Sequence, residues 1–156
     1  MAEQQVQITG PADAVAAGLV RLMLTMEALY SRQSRKAGLT AQQARLLCTA
    51  ARRKSGLGEI AEVLHCDRSN VSRLLDRVTD RGLAYRAPDR RDGRVSVLQL
   101  SLDGQAVVNR FEADLAARLG RLTADWPARK RHAAASAVTA LIEAIQDDLA
   151  EEDQAG

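Results

Sequence analysis

Between Val71 and Val78 the apolar residues fall at Val71, Leu74, Leu75 and Val78, the spacing of one buried helical face. Ser69, Ser72, Arg73, Asp76 and Arg77 occupy the other face, which leaves it free to meet a partner. Asp67 stands where an N-cap belongs, with Ser69 as the alternative, and Gly82 stands where a left-handed C-cap belongs. The spacing therefore predicts a short helix bracketed by its own stop signals. After Gly82 the pattern changes to two short β-favouring runs, Leu83 to Ala87 and Val95 to Leu100, separated by a charged segment whose Asp92-Gly93 pair signals a tight turn. A two-stranded hairpin with a charged tip is expected.

The flanks are helical. Residues Ala14 to Lys36 repeat Val15, Leu19, Leu22, Met23, Met26, Leu29 and Tyr30 at helical spacing, and Gly38 separates this run from the next. Thr40 with Gln43 reads as a capping box opening a helix through Arg52. Further along, Ser55 offers a helix cap, with two helix-weakening glycines, Gly56 and Gly58, close behind it. Ser101 is placed to cap a long helix carrying Val107, Val108, Phe111, Leu115, Leu119 and Leu122. Beyond Pro127 another carries Val138, Leu141, Ile142, Ile145 and Leu149. The fold class is thus mainly α with one small β-hairpin.

Composition narrows the picture. With 156 residues, 46% of them apolar, the chain can build one core, and no Pro/Ser-rich linker divides it. Tyr30, Tyr85, Phe111 and Trp126 are the only aromatics, so aliphatic side chains must fill the space between closely packed helices. No apolar run approaches a membrane span and the N-terminus shows no signal-peptide pattern, so a cytoplasmic protein is expected. Cys48 and Cys66 are too few for a disulfide framework.

The net charge of +2 averages unlike segments. Thr139 to Gly156 holds six acidic residues and no basic one, whereas Arg68 to Arg94 holds eight arginines against four aspartates. In that basic stretch, Arg68, Ser69 and Asn70 lie in the first turn of the predicted helix, with Ser72, Arg73 and Arg77 following along its polar side. These side chains can hydrogen-bond base edges or phosphates. Arg90, Arg91 and Arg94 crowd the hairpin tip, where guanidinium groups can enter a narrow minor groove, and Asp89 is placed to hold one of them in position. A helix and a hairpin so equipped are what reading duplex DNA requires. Catalysis finds no machinery here: His65 and His132 are the only histidines, and neither a glycine-rich phosphate loop nor a nucleophile elbow occurs. Cys48, His65, Cys66 and Asp67 lack the paired spacing of a metal site, so neither metal nor other cofactor is expected.

Residues Leu57 to Ser101 resemble the winged helix-turn-helix of the MarR family of bacterial transcription regulators. The resemblance implies Gly58 to Leu64 as the first helix of the motif, where Ile60-Ala61 matches the family's Leu-Ala, and His65-Cys66 as the turn before the recognition helix. Asp89, Arg91 and Leu100-Ser101 match the wing pattern, with serine in place of threonine. The resemblance extends from about Ala14 to Leu149. It implies residues 39–101 as the winged DNA-binding domain, and residues 14–37 and 102–150 as a helical dimerisation region. The terminal helices present more apolar stripe than one small winged domain can cover, which also favours a two-fold homodimer on a near-palindromic operator. The resemblance further implies a repressor relieved by a small aromatic or anionic effector, with Met26, Tyr30 and Arg45 as candidate lining residues. The competing readings are an architectural DNA-coating protein without effector, and a thiol-based redox sensor using Cys66.

Overall fold

The computed structural model describes residues 10–52, 56–64, 66–88 and 96–155. Among the described residues, six helices and one hairpin follow in the order α1 (Pro11–Lys36), α2 (Ala41–Arg52), α3 (Leu57–Val63), α4 (Arg68–Asp80), β1 (Ala84–Pro88), β2 (Ser96–Leu100), α5 (Leu102–Leu122) and α6 (Ala128–Ala155). Two compact units, Met1–Leu115 and Ala116–Gly156, divide the chain.

Local signals account for most element boundaries. The capping box at α2 is formed reciprocally: the Thr40 N–H donates to Gln43 Oε1 at 2.9 Å, and the Gln43 N–H donates to Thr40 Oγ1 at 3.1 Å. Gly38 and Gly82 both adopt positive φ, at 70° and 67°, a region that side chains with a Cβ rarely enter. At the end of α4 the Gly82 N–H donates to Thr79 O and the Leu83 N–H to Val78 O. Leu83 is therefore still part of the helix cap, which is why β1 begins one residue later than the β-favouring run suggests.

Two further expectations shift. The first helix of the motif starts at Leu57 rather than Gly58, because Glu59 reaches back to accept the Gly56 N–H at 3.3 Å. Ser55, expected as its cap, lies outside the described residues. Asp67 occupies the N-cap position of α4 with extended backbone, yet its side chain makes no capping hydrogen bond.

The core of the first unit gathers Leu46 and Leu47 of α2, Ile60 of α3, all four apolar residues of α4, Leu98 of β2, and Val108 and Phe111 of α5. Burial of each such side chain contributes roughly 1.5–3 kcal/mol. β1 and β2 are antiparallel, with Ala84 opposite Leu100 and Pro88 opposite Ser96. Val97 and Leu98 are both buried although adjacent strand residues point to opposite faces, so β2 is covered on both sides. An isolated bridge between Gly56 and Val97 extends the pairing beyond the hairpin.

Ser101 joins these parts. Its Oγ accepts the Gly104 N–H at 3.0 Å, capping α5, and its hydroxyl donates to Gly82 O at 2.6 Å. Its own N–H donates to Leu83 O at 3.1 Å. The start of α5 is thereby fastened to the end of the arginine-bearing helix.

By contrast, α1 leaves Val15, Val20, Leu22, Met23 and Leu24 at least half exposed, and α6 does the same with Val138, Ile142, Ile145 and Leu149. No helix among the described residues is long and apolar enough to cross a membrane.

Candidate nucleic-acid interface and adjoining cavity

In α4 the row Val71, Leu74, Leu75 and Val78 is buried, which fixes the rotation of the helix and leaves its opposite face outward. Arg68, Ser69, Asn70, Arg73 and Arg77 are exposed on it, and Ser72 is half-buried. Arg68, Arg73 and Arg77 form no ion pair with any described residue, so their charge is available to an external anion. The Arg68 guanidinium turns back over the start of α3, where a Cβ added to Gly58 would lie 3.5 Å from its Nη2. Together with Glu62, Cys66, Asp67 and Asn70 it borders a polar hollow of about 480 Å³ between α3 and α4.

Other arginines of the basic stretch are engaged within the chain. Arg81 Nη1 donates to Gly38 O at 2.9 Å, tying the α1–α2 turn to the end of α4. Arg86 on β1 pairs with Asp76 on α4 at 3.2 Å. That pair is solvent-exposed and contributes little to stability, but it holds the carboxylate of α4 beside a cation. The hairpin tip, with the expected positioner Asp89 and with Arg90, Arg91 and Arg94, lies outside the described residues.

Within the first unit, Met26, Tyr30 and Arg45 line one cavity of about 450 Å³. Met23, Glu27, Leu29 and Leu115 complete its wall. Periodicity along α1 could single out the turn carrying Met26 and Tyr30. It could not reveal Glu27, whose partner Arg45 is eighteen residues away, or Leu115 from α5. Arg45 Nη2 sits 3.4 Å from Glu27 Oε1, and its Cζ lies 5.6 Å from the centre of the Tyr30 ring. Tyr30 in turn meets Phe111 edge-on, with ring centres 5.1 Å apart.

Behind the cavity, burial pushes the Tyr30 hydroxyl well above its ordinary value, and the neighbouring Cys48 adds to the effect. Burial also raises the Cys48 thiol, assisted by the nearby Glu112 carboxylate. Glu112 is itself paired with Arg52 at 3.2 Å. Cys48 is thus a protonated core side chain. Cys66 is half-buried, and its Sγ–H donates to Leu64 O at 3.2 Å.

These placements predict unequal thiols: a disulfide reagent modifies Cys66 in the folded protein and reaches Cys48 only on unfolding. They also fix the sign of a pH effect. The unfolded chain ionises Cys48 near its ordinary value of 9.0 while the folded chain keeps the proton. The stabilisation from keeping it is fully present below pH 9 and is lost as pH rises through the higher folded value. Denaturant midpoints measured from pH 7.5 to 10.5 should fall above pH 9, and Cys48→Ala should flatten the onset of that fall.

Among the described residues, no cluster of three or more histidine, cysteine or acidic side chains could hold a metal ion. His65 lies outside them.

Residues 37–95 match the family model described as the MarR family. No curated protein matches the chain. Among solved structures, it is similar to RV1404 from Mycobacterium tuberculosis, at 22% identity over 86% of this chain and 94% of that one, with a TM-score of 0.75. It is similar to a MepR mutant from S. aureus bound to an oligodeoxyribonucleotide, at 18% identity, covering 83% of this chain and 97% of that one, with a TM-score of 0.60. CouR from Rhodococcus jostii RHA1, bound to p-coumaroyl-CoA, aligns at 18% identity over 85% of this chain and 94% of its own, with a TM-score of 0.66. The sequence match spans α2 to the hairpin, the segment that builds the exposed arginine helix: residues 37–95 carry the MarR-family pattern, and the fold around them is the winged helix-turn-helix fold of solved MarR-family proteins.

Proposed function

We propose that this chain is a sequence-specific, homodimeric DNA-binding transcriptional regulator, acting in the cytoplasm as a repressor whose hold on its operator a small molecule relieves. The observation that carries the reading is α4: four apolar residues anchor it in the core while Arg68, Ser69, Asn70, Arg73 and Arg77 stand exposed, without an ion pair to any described residue. A helix so presented can enter a major groove, with its first turn at base edges and its arginines at guanines or phosphates. The tip arginines Arg90, Arg91 and Arg94, with Asp89 beside them, would serve as the wing.

Self-association follows from the half-exposed apolar residues of α1 and α6, which a second copy would cover. Residues 14–37 and 102–150 would form that dimerisation region, and residues 39–101 the DNA-binding domain. Two copies related by a two-fold axis would place recognition helices in successive major grooves, about 34–36 Å apart, so the operator should be a near-palindrome. The cavity at Met26, Tyr30 and Arg45 is the proposed effector site, because it combines an apolar wall with polar groups in a volume suited to small ligands. The oligonucleotide held by the MepR mutant and the p-coumaroyl-CoA held by CouR support a reading in which this fold serves DNA and a small molecule together.

Gel retardation on the DNA upstream of the gene tests the proposal. A complex of two chains should form there, roughly a thousandfold tighter than on random duplex, and should weaken steeply between 50 and 200 mM salt as phosphate-bound counterions return. Equal affinity for random DNA would instead mark an architectural coating protein.

A further inference from the structure

The charges around the proposed effector cavity cancel. Met26, Leu29, Tyr30 and Leu115 give it an apolar wall, and its two ionised lining residues are Glu27 on α1 and Arg45 on α2. Glu27 Oε1 lies 3.4 Å from Arg45 Nη2, while the Arg45 guanidinium lies 5.6 Å from the centre of the Tyr30 ring. The cation that would attract a carboxylate therefore already has one. Arg52, the other cation acting on Tyr30, is likewise paired, with Glu112 at 3.2 Å. Burial keeps the Tyr30 hydroxyl protonated, so the ring adds no charge of its own.

We infer that Glu27 is a specificity-determining residue, and that by neutralising Arg45 it makes this cavity select uncharged aromatic or aliphatic molecules over carboxylates. The inference rests on the reading of the cavity as an effector site. An incoming carboxylate must share Arg45 with Glu27 or displace it. Either way the Glu27 carboxylate stays tethered a few ångströms away, and its repulsion opposes the attraction just gained. An uncharged ligand meets neither force. It gains from covering the apolar wall and leaves the ion pair intact at the rim, where both side chains remain about half exposed. Selectivity here is a difference between two ligands, obtained by opposing the wrong one rather than by gripping the right one harder.

The experiment measures calorimetric binding of shape-matched pairs, 2-naphthamide with 2-naphthoate and benzamide with benzoate, to the full-length wild type, Glu27→Gln and Arg45→Gln at low salt. Wild type should bind an amide about tenfold more tightly than its acid, a ratio set by one uncompensated charge contact in a half-wet site. Glu27→Gln should erase or invert that ratio by strengthening the acid alone. Arg45→Gln, which strands Glu27, should weaken the acid further and spare the amide. Glu27 and Arg45 form an exposed pair, so both variants should melt close to wild type. A ratio unchanged by Glu27→Gln, or a wild type that already prefers the acid, overturns the inference while the effector cavity stands. If neither pair binds any folded variant, the effector reading of the cavity fails and the inference falls with it, leaving the DNA-binding proposal to its own test.

Discussion

Gly104→Ala is expected to lower the melting temperature by about 10 °C, the equivalent of a loss on the order of 3 kcal/mol in a chain of this size. A Cβ at this position would overlap the Leu83 carbonyl oxygen and crowd the carbonyl carbon behind it. That oxygen has no freedom to retreat, since it accepts the Ser101 N–H, and Ser101 also holds Gly82 and caps α5. Relief would mean moving the start of α5 away from the end of α4. Gly120→Ala, in the same helix, is the internal control: beyond its two chain neighbours and the backbone of its own helical turn, no described atom lies within 4 Å of the added methyl. It should gain up to about 1 kcal/mol from helix propensity alone. Thermal denaturation of the two variants thus has a predicted difference in sign. A neutral or stabilised Gly104→Ala would mean that α5 does not press on the Leu83 carbonyl as described.

Arg73→Ala should weaken operator binding by about 1–3 kcal/mol, roughly tenfold to a hundredfold for each half-site contact, and relax the preference at one base position in each half-site. The arginine is exposed on the outward face of α4 and forms no ion pair with any described residue, so its removal takes nothing from the core. Arg81→Ala separates this effect from general damage. Its guanidinium donates to Gly38 O, and the variant should lose stability while keeping its sequence preference. Arg91→Ala, at the hairpin tip, should lower affinity evenly across sequences and reduce the salt dependence, as expected of a backbone contact. Competition binding against single-base operator variants distinguishes the three. If Arg73→Ala changes neither affinity nor preference, α4 does not lie in the groove as proposed.

Much of this architecture was legible in the residues because the forces behind it act over three to five positions. The buried row of α4, the capping box of Thr40 and Gln43, the left-handed glycines at 38 and 82 and the capping serine at 101 all depend on neighbours along the chain. The start of α3 was harder to read, because the Gly56 N–H goes to Glu59 and Gly56 is further engaged by a bridge to Val97 on a distant strand.

The candidate interface divides in the same way. Which face of α4 carries its arginines follows from periodicity. Their occupation does not: Arg81 goes to a carbonyl on the α1–α2 turn, Arg86 to Asp76, and Arg68 folds back toward Gly58. A long guanidinium side chain can reach many partners, and its type fixes only that reach.

By itself, then, the sequence determined the order of helices and hairpin, the exposed arginine face and the stop signals that frame it, since each is encoded in short-range spacing. The tertiary structure alone decided that Glu27 meets Arg45, that Leu115 closes the cavity beside Tyr30, and that Gly104 is required while Gly120 is not. Those outcomes depend on segments far apart in the chain arriving at the same place, and no local pattern records where they meet.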